Sequence, residues 1–307
     1  MGAAMTDQDP KPMTSPVDRP LEWTAERLAP LVQADVSRAL QEDVGAGDLT
    51  AALVSPDQPA RARVLARESA VVCGQPWVDA AVRALDPGAR VTWHVAEGQR
   101  CEANQKVLTV EGLARPLLTA ERTALNFLQT LSAVATKTAH YVALVAGTRA
   151  RIVDTRKTLP GLRLAQKYAV WVGGGLNHRL GLYDAVLIKE NHIAAAGGVT
   201  AVLQRVQQTA PKAQFVQIEV ETLAQLREAL DAGARMVLLD NMDLPTLREA
   251  VQCNAQHPLG GAVLEISGGV NDTTVRALAE TGVDRISIGT LTKDVKAVDF
   301  SMRFEGL

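Results

Sequence analysis

Apolar and polar residues follow two different rhythms along the chain, and the change between them falls near Gly147. Between Thr24 and Asp43, the positions Leu28, Leu31, Val32, Val36 and Leu40 recur at the spacing of one helix face, with Thr24 placed to cap the start. Gly45 and Gly47 end that helix. Short β-like runs follow at Ala62–Ala66, Val71–Cys73, Val91–Val95 and Lys106–Val110, with a helix over Trp77–Leu85 between the second and third. Asp86, Pro87 and Gly88 stop it. Strands and helices mixed in this way predict a small α+β domain with helices on one face of an antiparallel sheet. A long helical pattern then runs from about Leu118 to Ala146, with a break expected near Ser132.

After Gly147, short apolar runs rich in β-branched residues alternate with amphipathic helices such as Leu223–Ala232 and Pro245–Gln256. The runs are Arg151–Asp154, Ala185–Lys189, Phe215–Glu219, Met236–Asp240, Ala262–Ser267 and Arg285–Gly289. Strands apolar on both faces belong to a parallel sheet covered by helices. Six such units in roughly 140 residues fall short of the eight-unit barrel of about 250. The expected fold class is therefore α/β: an incomplete parallel barrel of about six strands, joined to an N-terminal α+β sandwich domain. An open doubly wound sheet is the alternative. The boundaries expected are a disordered tail at 1–20, the first domain at 21–130 and the catalytic barrel at 131–292, with 293–307 packing back on the first domain.

Composition narrows the function. The formal net charge of -2 leaves no global basic field of the kind a nucleic-acid binder uses, so affinity for anions has to come from local clustering. Three cysteines, Cys73, Cys101 and Cys253, lie far apart with no CxxC pair, which reads as reduced thiols rather than a disulfide frame or zinc site. The first twenty residues lack a basic start followed by an apolar run, so they are read as a tail and not a signal peptide. No apolar stretch approaches bilayer length. A cytoplasmic protein with neither nucleic-acid nor membrane partners is expected.

In parallel α/β folds, ligands bind at the carboxyl ends of the strands. Those ends carry Thr155, Arg156 and Lys157, then Lys189, then Glu219 and Glu221, then Asp240 and Asn241. The last two carry Ser267-Gly268-Gly269 and Gly289-Thr290. The early ends are basic and the middle ones acidic, which predicts one basin with a divided interior. His178 and Arg179 join the basic part if the loop after Gly173-Gly174-Gly175 folds over it, and that triplet is read as a flexible connector or a mobile closing loop. Arginine grips carboxylate or phosphate through a fork, and lysine acts as a point charge, so the set suits a polyanionic substrate. The glycine-rich ends let backbone N–H groups approach a phosphate. Glu219 and Asp240 either partner nearby lysines, bind ribose hydroxyls, hold Mg2+, or offset positive charge developing on a sugar carbon. His94, His140 and His257 have no chemical context.

The run DTRKTLPGLR at Asp154–Arg163, with KYAV, GGG, NHR and LIKENH ending at His192, closely resembles quinolinate phosphoribosyltransferase. The likeness extends to GDLT at Gly47–Thr50, ERTALNFLQ at Glu121–Gln129, EVE at Glu219–Glu221, LDN at Leu239–Asn241, SGG at Ser267–Gly269 and SMRF at Ser301–Phe304. The resemblance implies an α+β domain followed by an incomplete barrel. It implies that Thr155, Arg156, His178, Arg179 and Lys189 surround quinolinate, and that Arg122 reaches the site from the partner subunit of a homodimer, with further assembly left open. Lys157, Glu219 and Asp240 correspond to the catalytic residues around ribose and pyrophosphate, the latter two also to Mg2+, and Ser267, Gly268 and Gly289 to the 5′-phosphate cradle. No role is assigned to Arg163 or Lys167. Ala133 replaces a common family glycine, and Lys293-Asp294 a common His-Ser; neither removes a charged site residue.

The activity so implied is Mg2+-dependent transfer from phosphoribosyl pyrophosphate to quinolinate, with loss of pyrophosphate and CO2. The rivals are a Schiff-base lyase using Lys189, a non-catalytic anion-binding protein, and a nicotinate transferase without decarboxylation.

Overall fold

The computed structural model describes residues 22–305, and the tail expected at 1–20 lies outside them. Helix α1 spans Ala25–Val44. Thr24 takes its N-cap position with extended backbone, but it makes no side-chain cap bond. That expectation is corrected: its hydroxyl turns to the Glu26 carboxylate instead. Then come β1 (Pro59–Ala66), β2 (Ala70–Val71), α2 (Gln75–Leu85), β3 (Arg90–Trp93), β4 (Arg100–Cys101), β5 (Lys106–Leu113) and α3 (Ala114–Leu144).

Strand β1 shows why this part of the chain makes a one-sided sheet. Ala62, Val64 and Ala66 are buried, while Arg61 and Arg63, on the alternate positions, are exposed. The period of two puts the apolar set against the helices and the arginines in water. There Arg61 pairs with Glu111 at 3.5 Å and Glu305 at 3.7 Å, exposed contacts worth at most about 1 kcal/mol each. On the inner side Trp77 of α2 is completely buried, and its indole N–H donates to Asp35 of α1 at 3.1 Å. The start of α2 is capped at a distance in sequence, because the Glu97 carboxylate accepts from the N–H groups of Gly74 and Gln75 at 2.9 and 3.1 Å.

Helix α3 runs for 31 residues without interruption. The break expected near Ser132 is absent for a physical reason. A mid-helix serine disturbs its own backbone only when its hydroxyl competes for it. Here the fully buried Ser132 hydroxyl accepts from the Cys73 N–H at 2.9 Å and donates to the Cys73 carbonyl at 3.2 Å.

The second half continues with β6 (Arg151–Val153), α4 (Arg163–Val172), β7 (Val186–Ile188), α5 (Glu190–Ala196), α6 (Val199–Thr209), β8 (Val216–Val220) and α7 (Leu223–Asp231). After these lie β9 (Met236–Leu239), α8 (Leu244–Ala255), β10 (Val263–Ile266), α9 (Val275–Ala279), β11 (Arg285–Ser287), α10 (Thr290–Lys293) and β12 (Phe300–Glu305). Strands β6 to β11 form one parallel sheet in the order β6-β11-β10-β9-β8-β7. All four residues of β9 are buried, as a strand covered on both faces requires. The incomplete six-strand barrel is thus the observed architecture, open between β6 and β7, where Leu176 bridges to Val153. The chain then returns: β12 pairs antiparallel with β1, completing the order β12-β1-β5-β3 in the first sheet.

The triplet Gly173–Gly175 sits where the end of α4 crosses α3, and it is not a loose connector. A Cβ on Gly173 would lie 2.5 Å from the Ala135 carbonyl oxygen and 2.7 Å from Thr138 Cβ. One on Gly175 would lie 2.8 Å from both Thr138 Cγ2 and Val170 Cγ1. The glycines are there so that two backbones can touch. Gly173→Ala should therefore destabilise the protein by about 2 kcal/mol or more through forced separation of α3 and α4. Urea unfolding measures this, and a loss below about 0.5 kcal/mol, the level of a neutral surface change, would contradict the packing described.

Candidate active site

Strand β6 ends by placing Asp154 in full burial at the foot of the open side of the barrel. Helix α4 brings Lys167, equally buried, into contact with its carboxylate. The same carboxylate accepts from the Asn177 amide at 2.7 Å and from the His178 N–H at 2.8 Å. Lys167 also donates to the His178 carbonyl at 3.0 Å, and the Asn177 amide to the Lys167 carbonyl at 2.8 Å. Burial pushes the Asp154 carboxyl up, against the pull of the ammonium and of these hydrogen bonds. Lys167 is thus a fixed counter-ion inside the scaffold. Arg163 is likewise a brace: it donates to Thr158 Oγ1 at 3.1 Å, the Leu180 carbonyl at 3.2 Å and the Arg156 carbonyl at 3.4 Å.

Above this foundation lies a pocket of about 320 Å³. Thr155, Arg156, Lys157, His178, Arg179 and Lys189 line one side of its wall, and Glu219, Asp240, Ser267 and Gly268 are among the residues of the other. The loop carrying Thr155 is stiffened by its hydroxyl, which accepts from the Lys157 N–H at 3.0 Å. Arg179 is almost fully buried and donates to the Ala185 carbonyl at 3.2 Å. Burial, together with the Arg156 guanidinium nearby, holds Arg179 below the usual arginine range, while Asp184 opposes them. Like charges crowded in this way lower their energy when an anion arrives. His178 accepts at Nδ1 from the Arg179 N–H at 2.8 Å, which puts its proton on Nε2, facing the Gln217 side-chain Oε1 at 2.7 Å. The Phe215 ring meets the imidazole edge-on at 5.4 Å.

On the acidic side, Glu219 Oε2 stands 3.9 Å from Lys189 Nζ. Burial raises the Glu219 carboxyl; Lys189 lowers it, and Asp240, Glu190 and Glu221 add to the rise. Gly268 has φ +93°, a conformation suited to glycine, and a Cβ there would point at Asp240 Oδ1 from 4.0 Å. Gly289 approaches Lys157 so closely that a Cβ would lie 2.9 Å from its Cδ. The loop after β11 therefore closes on the Lys157 loop, which Thr292 also holds by donating to the Lys157 carbonyl at 2.8 Å, while the loop after β10 faces Asp240.

Most of the residues singled out in the sequence are brought together in this way. Gly289 stands beside Lys157 just outside the lining, and Arg122 is exposed on α3 and absent from the pocket lining of its own chain. Lys189 has a side chain 54% exposed, so the desolvated setting that a Schiff-base lysine needs is missing. His94, His140 and His257 are occupied elsewhere by Thr109, Asp272 and Asp231. Among the described residues, no group of three or more His, Cys, Asp or Glu side chains could hold a metal ion. Sequence reasoning missed the floor. Glu265 of β10 is fully buried in the pocket base, 3.9 Å from His178 Nε2, and neither its carboxylate oxygens nor Gln217 Nε2 has a hydrogen-bond partner. Both lie inside runs that read as apolar strands, and their alternation with inward neighbours was the one signal available.

A basic wall, an acidic wall and glycine loops at the carboxyl edge of parallel strands define an α/β-barrel enzyme that handles polyanionic substrates. Comparison with known proteins makes this specific. Residues 48–132 match the quinolinate phosphoribosyl transferase N-terminal domain, and residues 134–303 its C-terminal domain. The carboxylating nicotinate-nucleotide pyrophosphorylase of Mycobacterium leprae is 43% identical over 275 residues, covering 87% of this chain and 95% of that protein. The solved nicotinate-nucleotide pyrophosphorylase of Francisella tularensis superposes with a TM-score of 0.85 at 40% identity, covering 90% of this chain and 97% of the other. A human nicotinic acid phosphoribosyltransferase shares only the fold, at 16% identity and a TM-score of 0.59. The chain belongs to the quinolinate phosphoribosyltransferase family, and it is a phosphoribosyltransferase.

Two outcomes are expected. Lys167→Met leaves the buried Asp154 carboxylate without its counter-ion and should lower stability by about 3–5 kcal/mol in denaturant unfolding. Because burial raises Glu219, its ionised form is lost at a higher pH than for an ordinary glutamate. If the reaction uses that carboxylate, the acid limb of kcat/KM lies above pH 4.5 and is missing from the small residual activity of Glu219→Gln. A wild-type limb below that pH would contradict the assignment.

Proposed function

We propose that the chain transfers the phosphoribosyl group of phosphoribosyl pyrophosphate to quinolinate, giving nicotinate mononucleotide, pyrophosphate and CO2, the decarboxylating step of de novo NAD biosynthesis. The observation that carries this reading is the convergence of Arg156, Lys157, His178, Arg179 and Lys189 on one pocket whose opposite wall holds Glu219 and Asp240. Lys157 aside, four basic groups suit an acceptor with two carboxylates better than nicotinate, which has one. Arg156, His178, Arg179 and Lys189, with Thr155, hold the pyridine dicarboxylate. Its ring nitrogen then faces the anomeric carbon of a ribose held at Glu219 and Asp240, with the 5′-phosphate at Ser267, Gly268 and Gly289.

The nitrogen lone pair forms the new C–N bond as the C–O bond to pyrophosphate breaks, and Lys157 takes up part of the charge on the leaving group. Glu219 and Asp240 offset the positive charge that grows on the sugar. Most of the acceleration comes from holding two polyanions side by side in reacting geometry. The alkylated ring is then a pyridinium, so the 2-carboxylate can depart as CO2, leaving its electron pair on the ring carbon, which takes a proton. Mg2+ fits this arrangement, since it is usually held by one or two carboxylates together with substrate phosphates, and bound there it would neutralise pyrophosphate. Glu219 and Asp240 are the carboxylates that would hold it.

The exposed position of Arg122, away from its own pocket, supports a homodimer in which Arg122 completes the partner's site. The separated, unpaired thiols Cys73, Cys101 and Cys253 support a reducing, cytoplasmic setting. None of the described helices is long and apolar enough to cross a membrane.

Mixing two inactive variants tests the reading. Arg122→Ala and Glu219→Gln should each lose nearly all release of CO2 from carboxyl-labelled quinolinate. After exchange of subunits, the mixed dimer has one intact site and should recover part of the Mg2+-dependent, phosphoribosyl pyrophosphate-dependent activity. No recovery from a proven mixed dimer would place Arg122 outside the partner's site, and release without either addition would refute the reaction.

A further inference from the structure

The loop that presents His178 and Arg179 is held from below by Asp154 and Lys167, and it is also held from the side by the N-terminal segment. Trp23, immediately before α1, is 9% exposed, and its indole N–H donates to Asn177 Oδ1 at 3.0 Å, across 154 residues of sequence. The same amide spends its Nδ2 hydrogens on Asp154 Oδ2 and the Lys167 carbonyl. Asn177 is thereby fixed in both position and amide orientation, with Trp23 on its oxygen side. The next residue, His178, has its N–H held by Asp154 and its carbonyl by Lys167, and its imidazole accepts from the Arg179 N–H. A chain of hydrogen bonds thus runs from Trp23 through Asn177 and Asp154 to the backbone of the two residues that line the basic wall.

The Trp23 ring is located by packing that does not depend on this bond. It meets Tyr168 of α4 edge-on at 5.7 Å, and Tyr168 in turn lies 5.4 Å from Trp77. Removing only the indole N–H would leave the apolar contacts in place and the Asn177 oxygen without that donor. Of the residues assigned to the ribose and phosphates, Glu219, Asp240, Ser267 and Gly289 lie on or after β8 to β11 and make no hydrogen bond to Trp23, Asn177, Asp154 or Lys167; a link to β8 runs from His178 Nε2 to the Gln217 side chain at 2.7 Å.

We propose that Trp23 is a positioning residue of the acceptor half of the active site: through Asn177 it sets the placement of His178 and Arg179, and so it governs the use of quinolinate without governing the use of phosphoribosyl pyrophosphate. The inference rests on the assignment of His178 and Arg179 to quinolinate made above.

The test compares Trp23→Phe, which keeps an aromatic ring, with wild type and with Arg179→Ala, in the full-length enzyme. Loss of the hydrogen bond should raise KM for quinolinate about fivefold to tenfold, with KM for phosphoribosyl pyrophosphate changed less than twofold; the smaller ring also lowers the melting temperature, which by itself would not separate the two substrates. Hydrogen exchange gives a second measurement. Protection of the His178 amide should fall in Trp23→Phe, while amides of β8 to β11 keep theirs. An Asn177→Ala variant should show the same substrate split, and adding Trp23→Phe to it should have little further effect. Equal changes in both KM values, or no change with normal His178 protection, would overturn the inference. If Arg179→Ala leaves KM for quinolinate unchanged, the site assignment fails instead, and that result is recognisable apart from the behaviour of Trp23→Phe.

Discussion

Asp154 and Lys167 meet with no solvent exposure on either side chain, at the place where the six-strand barrel is open. Taking two charges out of water costs several kcal/mol for each ion, and attraction repays this only when the remaining polar capacity is also met. Here it is met by the main chain of the 177–179 segment, by the Asn177 amide and by the His178 carbonyl. The segment has almost no strand partner of its own, only the single bridge from Leu176 to Val153. The ion pair therefore does the work that a neighbouring strand would do in a closed barrel. It turns an irregular stretch of backbone into a rigid support, and the pocket's basic wall is mounted on it.

How much of this was legible in the sequence depends on what kind of signal each element leaves. The six parallel strands were readable because a strand buried on both faces writes itself as an unbroken apolar run, as Met236–Leu239 does. The charged residues at the strand ends were readable for the converse reason, since a charge just after such a run has few places to go except the rim. Glu265 and Gln217 were not, because a polar residue within an apolar run looks like an irregularity until the facing strands are known. Ser132 and Gly173–Gly175 misled in opposite ways. Serine and glycine mark breaks and hinges on average, yet here one bonds to Cys73 and the others admit α3 at backbone contact. Local propensity lost to a tertiary contact in both places. The function of Asp154 and Lys167 as a foundation, rather than as ligands, was also outside the reach of spacing arguments, because burial has no direct mark in a one-dimensional pattern.

The pocket's charge is arranged in sectors, not averaged. Arg156 and Arg179 are near enough to disfavour each other, and Glu219 is pressed by Asp240, Glu190 and Glu221. Each wall is thus under electrostatic tension that a suitable ligand relieves: an anion on the basic side, hydroxyls, a cation or a developing positive centre on the acidic side. In the proposed reaction these are the two carboxylates of the acceptor and the sugar of the donor. The arrangement favours one order of groups across the basin, because reversing the two substrates would set carboxylates against carboxylates. Orientation is therefore built into the pocket before any substrate binds.

The unbroken α3 has a consequence of a mechanical kind. At 1.5 Å per residue its 31 residues form a rod of about 45 Å. One end packs under the first sheet and the other against α4 and the ends of the barrel loops, with Lys137 reaching the Thr290 carbonyl. Such a rod gives the molecule no joint between its halves. Bending it would break main-chain bonds and pull the Gly173 contact apart, so the two halves share one stiffness and carry load together. Whatever opens and closes around the substrates has to be small, peripheral or borrowed from a neighbouring molecule; the frame itself does not hinge.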